Sequence, residues 1–147
     1  MLNILKVIAK ETKNYRNLNA VIDGDKIITY AGLLEAVDKT SAELKRLGLT
    51  RFNRVALLCE DSADYIVMSL AVLSLYAVIV PVPFGSAQDE IDALLKDIKV
   101  NFLIFAQGSY PQTNAQAIGE KLFITKLKVK GRINPDELIS VLKKSKT

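Results

Sequence analysis

Histidine is absent from the 147-residue chain, and that absence removes whole classes of chemistry. Ser-His-Asp and Cys-His nucleophilic sites cannot be assembled here, nor can histidine-ligated zinc. Cysteine is nearly absent: Cys59 stands alone, so the chain has no internal disulfide and no CxxC metal pair. Glycine and proline are sparse, seven and four. With half of the residues hydrophobic and 24% charged, disordered and fibrous chains are excluded. The net charge of +4 is too mild to argue for nucleic acid. Met1 to Lys10 has charges spread through it and no small-residue cleavage site. It reads as an amphipathic helix with Leu2, Leu5, Ile8 and Ala9 on one face, not a signal peptide, and a cytoplasmic protein is expected.

What is present reads as one α/β domain over residues 1–147. Ala20–Ile22 and Lys26–Thr29 flank the turn Asp23-Gly24-Asp25 and predict a β-hairpin. Thr29 is placed to cap a helix from about Tyr30 to Leu47, with Leu33, Leu34, Val37, Leu44 and Leu47 at helical spacing and Gly48 as its stop. A β-α-β-α-β pattern follows. Its strands are Arg54–Leu58, Ala77–Val82 and Phe102–Phe105; its helices are roughly Ala63 to Leu75 and one opened by Ser86. The second helix carries Ile91, Leu94, Leu95 and Ile98 as a core-facing stripe. Continuous apolar strands alternating with helices predict three layers: a short parallel sheet flanked by helices, preceded by the hairpin and helix. Leu122–Ile124 is expected as a fourth strand, Gln107–Gln116 as a loop, and Lys126–Lys130 as an edge strand. Asn134-Pro135 opens a last helix.

Five features carry possible chemistry. Glu60 and Asp61 follow the first parallel strand at the carboxyl edge, where open α/β folds place ligands. Asp61 or Ser62 is placed to cap the next helix, and the plainer reading of the acid pair makes Asp61 that cap and leaves Glu60 in water. Lys126, Lys128, Lys130 and Arg132 could meet phosphates or an acidic partner. As a lysine-guarded edge without interleaved aromatics they do not read as a nucleic-acid site. Cys59 has no cationic neighbour in sequence and reads as a buried filler. Pro81–Ser86 has neither GxGxxG nor GxxxxGK[ST] spacing and reads as a rigid connection. Tyr65–Phe84 is long enough for a bilayer, but its prolines, serines and β-branched run read as buried helix plus buried strand, so no membrane span is expected. No catalytic, cofactor-binding or metal-binding residue is nominated.

Six segments in order resemble the AMP-forming acyl-CoA synthetases and adenylation domains. Ile27-Ile-Thr-Tyr30 with Leu33 is similar to "(L/I)TYxEL", and Ala42–Gly48 to "LAxxLxxxGV". Arg54–Leu58 resembles "GDRVALLL", and Ser62–Leu73 "NSxEFVxAxLAxLxAG". Ala77–Pro83 resembles "GAVxVPLxP", and Asp89–Ile104 "ELxxxLxDxxAxxLI". Phe52-Asn53 replaces the pattern's Gly-Asp, Asp61 its Asn, and Tyr76 the glycine that ends its apolar helix. The resemblance covers about Ala20 to Phe105. It implies the amino-terminal part of an ATP-dependent ligase joining an acyl or aryl acid to CoA or a carrier thiol through an acyl-AMP intermediate, with a place in fatty acid metabolism. It also implies ATP, Mg2+ and CoA or phosphopantetheine as cofactors of the whole enzyme, none bound by this piece. The family's phosphate loop, nucleotide elements and catalytic lysine do not occur between Met1 and Thr147, so the chain is expected to be a non-catalytic scaffold truncated before that loop. Its expected partners are the rest of the parent polypeptide and, in the whole enzyme, a small carboxylic acid. Two other readings stand beside it. One is a stand-alone flavodoxin-like or receiver-like module, against which the missing Asp in Phe105-Ala-Gln-Gly108 counts. The other is a partner-binding domain that uses its lysine-rich edge.

Overall fold

The computed structural model describes residues 3–119 and 121–129. Helix α1 (Ile4–Glu11) opens where the Asn3 side chain accepts from the Leu5 amide. The other end of that side chain donates to the Ser74 carbonyl at 3.0 Å. Strands β1 (Asn19–Asp23) and β2 (Lys26–Thr29) form the expected antiparallel hairpin. Of its two turn residues only Gly24 has positive φ, the type II′ pattern that matches strand twist. Helix α2 (Tyr30–Arg46) starts on Thr29, whose hydroxyl accepts from Gly32 at 3.1 Å.

Strands β3 (Arg54–Leu58), β4 (Val78–Pro81) and β5 (Phe102–Ala106) run parallel, with β3 in the middle. Helix α3 (Ala63–Ser74) connects β3 to β4, and α4 (Gln88–Asp97) connects β4 to β5. The chain steps off β3 in one direction and returns past it in the other, so right-handed crossovers put the two helices on opposite faces. The pleat divides the core accordingly. Val55, Leu57, Phe102 and Ile104 pack with Leu33, Val37, Met68 and Val72 of α2 and α3. Ala56, Leu58, Leu103 and Phe105 pack with Ile91 and Leu95 of α4 and with Ile98, its C-cap. These are the three layers that the alternating pattern predicts, and each large side chain so buried stabilises the fold by about 1.5–3 kcal/mol.

The parallel trio is extended into a mixed sheet of order β4-β3-β5-β7-β6. β7 (Leu122–Lys126) is the expected fourth strand, antiparallel to β5, and β6 (Gln116–Ile118) pairs antiparallel with β7. Two expectations are corrected here. The edge strand is β6, arising where a polar loop was expected to end. Among the described residues of the Lys126–Lys130 stretch, only Lys126 belongs to a strand, while Leu127, Lys128 and Val129 leave the sheet after the Leu127 amide reaches the Asn101 carbonyl. The helix expected from Asn134, together with Lys130 and Arg132, lies outside the described residues.

α2, α3 and α4 end alike. The residue after each C-cap is left-handed: Gly48 at φ +101, Tyr76 at +60 and Lys99 at +53. Its amide reaches the carbonyl of Lys45, Leu73 or Lys96, and the next amide reaches Leu44, Val72 or Leu95. These are Schellman motifs, which satisfy carbonyls that a helix end leaves open. Tyr76 therefore ends α3 as a glycine would, in spite of its Cβ.

The uncharged stretch Tyr65–Phe84 divides into α3, a turn and β4. Among the described residues no helix is long and apolar enough to cross a membrane. One side of α3 is open, with Ile66 and Leu73 each more than a third exposed.

Candidate functional site

Because β3, β4 and β5 are parallel, their following loops gather at one edge of the sheet, joined there by the start of β7 and the hairpin turn. They enclose a cleft of about 830 Å³ whose lining includes Glu60, Asp61, Asp64, Phe84, Gln107 and Lys121. This is where an open α/β sheet receives ligands.

The cleft wall is set by the start of α3. Ser62, not Asp61, caps this helix: its Oγ accepts from the Tyr65 amide at 3.2 Å and donates to the Glu60 carbonyl at 3.1 Å. Asp61 is thereby left exposed, as is Glu60. The Ala63 amide finds its acceptor farther away, in Asp23 Oδ2 at 3.0 Å, so a carboxylate of the hairpin turn completes the cap and fixes hairpin to helix. Lys26 Nζ lies 3.6 Å from Asp64 Oδ1 with both side chains substantially exposed, a pair worth at most about 1 kcal/mol.

Cys59 lies under this loop. It is buried, as its sequence context indicates, and burial, followed by the charges of Asp64, Asp61 and Glu60, pushes its thiol up to about 11. It is a protonated filler and a poor nucleophile. Burial, then Cys59 and Asp61, also raises the Tyr65 phenol. Although the cleft is rich in acids, no group of three or more His, Cys, Asp or Glu among the described residues is arranged to hold a metal.

The connection after β4 is rigid, as expected, but Ser86 does not cap α4. Its hydroxyl and amide both bond the Pro83 carbonyl, closing the turn at Gly85 (φ +89), and the helix starts on Ala87 with no side-chain cap. Asp89 and Glu90 occupy its first turn, where their charge complements the helix dipole.

A second cavity, of about 640 Å³, lies on the α4 face between that helix and residues 127–129. Tyr110 helps to line it, donates to Asp92 Oδ1 and packs edge-on to Phe105 at 5.6 Å. Burial, then the Asp92 hydrogen bond and charge, raises its phenol to about 12. Tyr110 falls within the stretch that the sequence marks as a polar loop. The available signal was one aromatic residue among small polar ones.

The model of the AMP-binding enzyme family matches residues 8–145. Tyrocidine synthase 3 of Brevibacillus parabrevis is 28% identical over 121 residues, 82% of this chain and 2% of that protein. The N-terminal subdomain of NpsA from Klebsiella oxytoca, solved with anthranilyl-AMSN, superposes with a TM-score of 0.65 at 25% identity, over 69% of this chain and 27% of that one. The inhibitor-bound N-terminal domain of FACL13 from Mycobacterium tuberculosis gives 0.67 at 26% identity, over 73% and 27%. The chain thus spans a small share of the proteins it matches, about a quarter at most among these three.

Proposed function

The chain belongs to the AMP-binding enzyme family, and on that premise we propose that it is the first part of the amino-terminal subdomain of a ligase that activates a carboxylic acid as its acyl-adenylate. The whole enzyme uses ATP and Mg2+ and passes the acyl group to a thiol, CoA or a carrier phosphopantetheine. Adenylation converts a poor leaving group into a good one, and it needs donors placed around the phosphates.

The described residues do not fit that nucleotide and metal. The carboxyl-edge cleft sets Asp23, Glu60, Asp61 and Asp64 against two cations, Lys26 and Lys121, and among the described residues no glycine-rich loop faces it and no carboxylate set is arranged for the ion. No chemical step is therefore assigned to these residues, and their role is to build the scaffold and one wall of the acyl side. A cytoplasmic setting suits a chain with a single buried cysteine.

The observation that carries this reading is the ordered set of hairpin, capped α2 and β-α-β-α-β core in a chain whose family match runs from residue 8 to 145. Exposed apolar groups support a larger host. Ile22 and Ile27 face each other across the hairpin at 68% and 57% exposure, and Phe84 stands 48% exposed at the cleft. The receiver-like reading has no comparable support, since Ala106 and Gln107 stand where a phosphoryl-accepting Asp would follow β5.

Two measurements test the proposal together. The isolated 147 residues are expected to give no ATP–pyrophosphate exchange with any acid, and exchange above background refutes the scaffold role. Residues 8–145 exchanged for the matching segment of NpsA are expected to leave a folded enzyme that retains exchange. A chimera that is folded by circular dichroism but inert overturns the placement.

A further inference from the structure

The opposite, amino edge of the sheet carries a feature for which the ligase reading has no use. α2, α3 and α4 end there, β3, β4 and β5 begin there, and β7 finishes there. This edge collects Lys45, Arg46, Arg51, Lys99, Lys126 and Lys128 against the acids Glu43 and Asp97, and Glu43 lies 3.9 Å from Arg46. The carboxyl edge has the reverse balance, with Asp23, Glu60, Asp61 and Asp64 around Lys26 and Lys121.

On this cationic edge stands Phe52, 60% exposed and at φ +66. An exposed ring gains little from folding, and left-handed backbone is unfavourable for any residue with a Cβ. The loop is nonetheless well held. The Phe52 amide donates to the Tyr76 carbonyl at 3.0 Å, and the Arg51 guanidinium lies 4.7 Å over the Phe52 ring and 5.9 Å from that of Tyr76. An aromatic ring beside an arginine, presented on a fixed backbone, is the composition of a binding hot spot. Strain of this kind at a surface position is a pointer to function.

We infer that this edge is a docking surface for an acidic, amphipathic segment of another protein, whose apolar side chain seats on Phe52 and whose carboxylates face Arg51 and the flanking lysines. Charge complementarity sets the sign of the partner, and the exposed ring requires its apolar component.

The test is fluorescence anisotropy with the whole 147-residue chain and a fluorescein-labelled helical peptide that carries glutamates around a leucine stripe, at low salt. Saturable binding is expected, weakened roughly tenfold or more by Phe52→Gly and by Arg51→Ala. Phe52→Gly should meanwhile hold or raise the thermal midpoint, because glycine fits φ +66. A purely structural Phe52 would lose stability when replaced. Unchanged peptide binding by Phe52→Gly overturns the proposal, as does equal binding of poly-glutamate, which has no apolar stripe. Tighter binding of a single-stranded RNA oligonucleotide reassigns the edge and overturns it too. So does sedimentation in which the wild-type chain self-associates through Phe52 without binding the peptide.

Discussion

The Phe52 amide and the Tyr76 carbonyl meet at 3.0 Å across two turns, one entering β3 and the other leaving α3, and both residues hold left-handed backbone. The bond joins the amino edge where α3 gives way to β4, and the next amides, Asn101 to the Arg54 carbonyl and Val78 to the Asn53 carbonyl, continue it at 2.8 Å each.

Lys99 holds the same conformation at the end of α4 but is exposed. Lys99→Gly should therefore relieve a strained residue without emptying the core, and is expected to stabilise the chain by about 1 kcal/mol. Gly48→Ala should do the reverse at the end of α2 by a similar amount. Urea titrations of the two variants at neutral pH provide the check. A destabilised Lys99→Gly would contradict the helix-end assignment.

Arg54 is buried at the start of β3, where its Nε donates to the Lys99 carbonyl at 2.8 Å and its amide donates to Asn101 Oδ1 at 2.7 Å. Burial lowers its guanidinium from the usual value. Arg54→Met keeps most of the stem but orphans a partly buried carbonyl, at an expected cost of about 1–3 kcal/mol. Asn101→Ala should weaken the same corner. Chemical denaturation of each variant, and of the pair, tests whether the two costs are coupled.

Asp23 and Lys26 make contacts close together at α3 but of unequal weight. Asp23→Ala removes the acceptor of the Ala63 amide and is expected to cost about 1–2 kcal/mol. Lys26→Ala breaks an exposed ion pair and should cost less than about 1 kcal/mol, less still in high salt. Thermal melts at two ionic strengths distinguish them.

Cys59 makes stability depend on pH. Its thiol is raised from 9.0 to about 11, so between those values the unfolded chain releases a proton that the folded chain keeps. The contribution is complete below pH 9 and is lost as pH rises toward 11. Tyr110, raised from 10.0 to about 12, extends the decline. Stability measured from pH 8 to 11 should fall less steeply in Cys59→Ala. Iodoacetamide at pH 8 should label native Cys59 far more slowly than the urea-unfolded chain.

Much of the architecture was legible because burial imposes a period. β3 alternates Val55 and Leu57 toward one face with Ala56 and Leu58 toward the other, and α4 with its C-cap keeps Ile91, Leu95 and Ile98 on one side. Thr29 and Gly48 announce the ends of α2 by chemistry that few other residues provide. The misread parts lacked such a period or had local competitors. Ser62 sits beside Asp61, and both are good caps. Ser86 looks like a cap until its hydroxyl closes the preceding turn. β6, three residues long, depends for its pairing on β7 and carries little pattern of its own. Tyr76 was legible only as a departure from the family's pattern, because a tyrosine in left-handed backbone gives no local sign of it. The cleft followed from the parallel order of the strands, whereas Asp23 joins it through a contact 40 residues distant in sequence.

That separation has a consequence for synthesis. At about 5–20 residues per second on the ribosome, the completed hairpin waits roughly 2–7 s for Ala63 to be added. During that interval Asp23 has no helix amide to receive, and Val21, buried in the finished core, has no α3 to pack with. The nascent hairpin is therefore a client for chaperones that shield apolar strands, until α3 emerges and latches onto it.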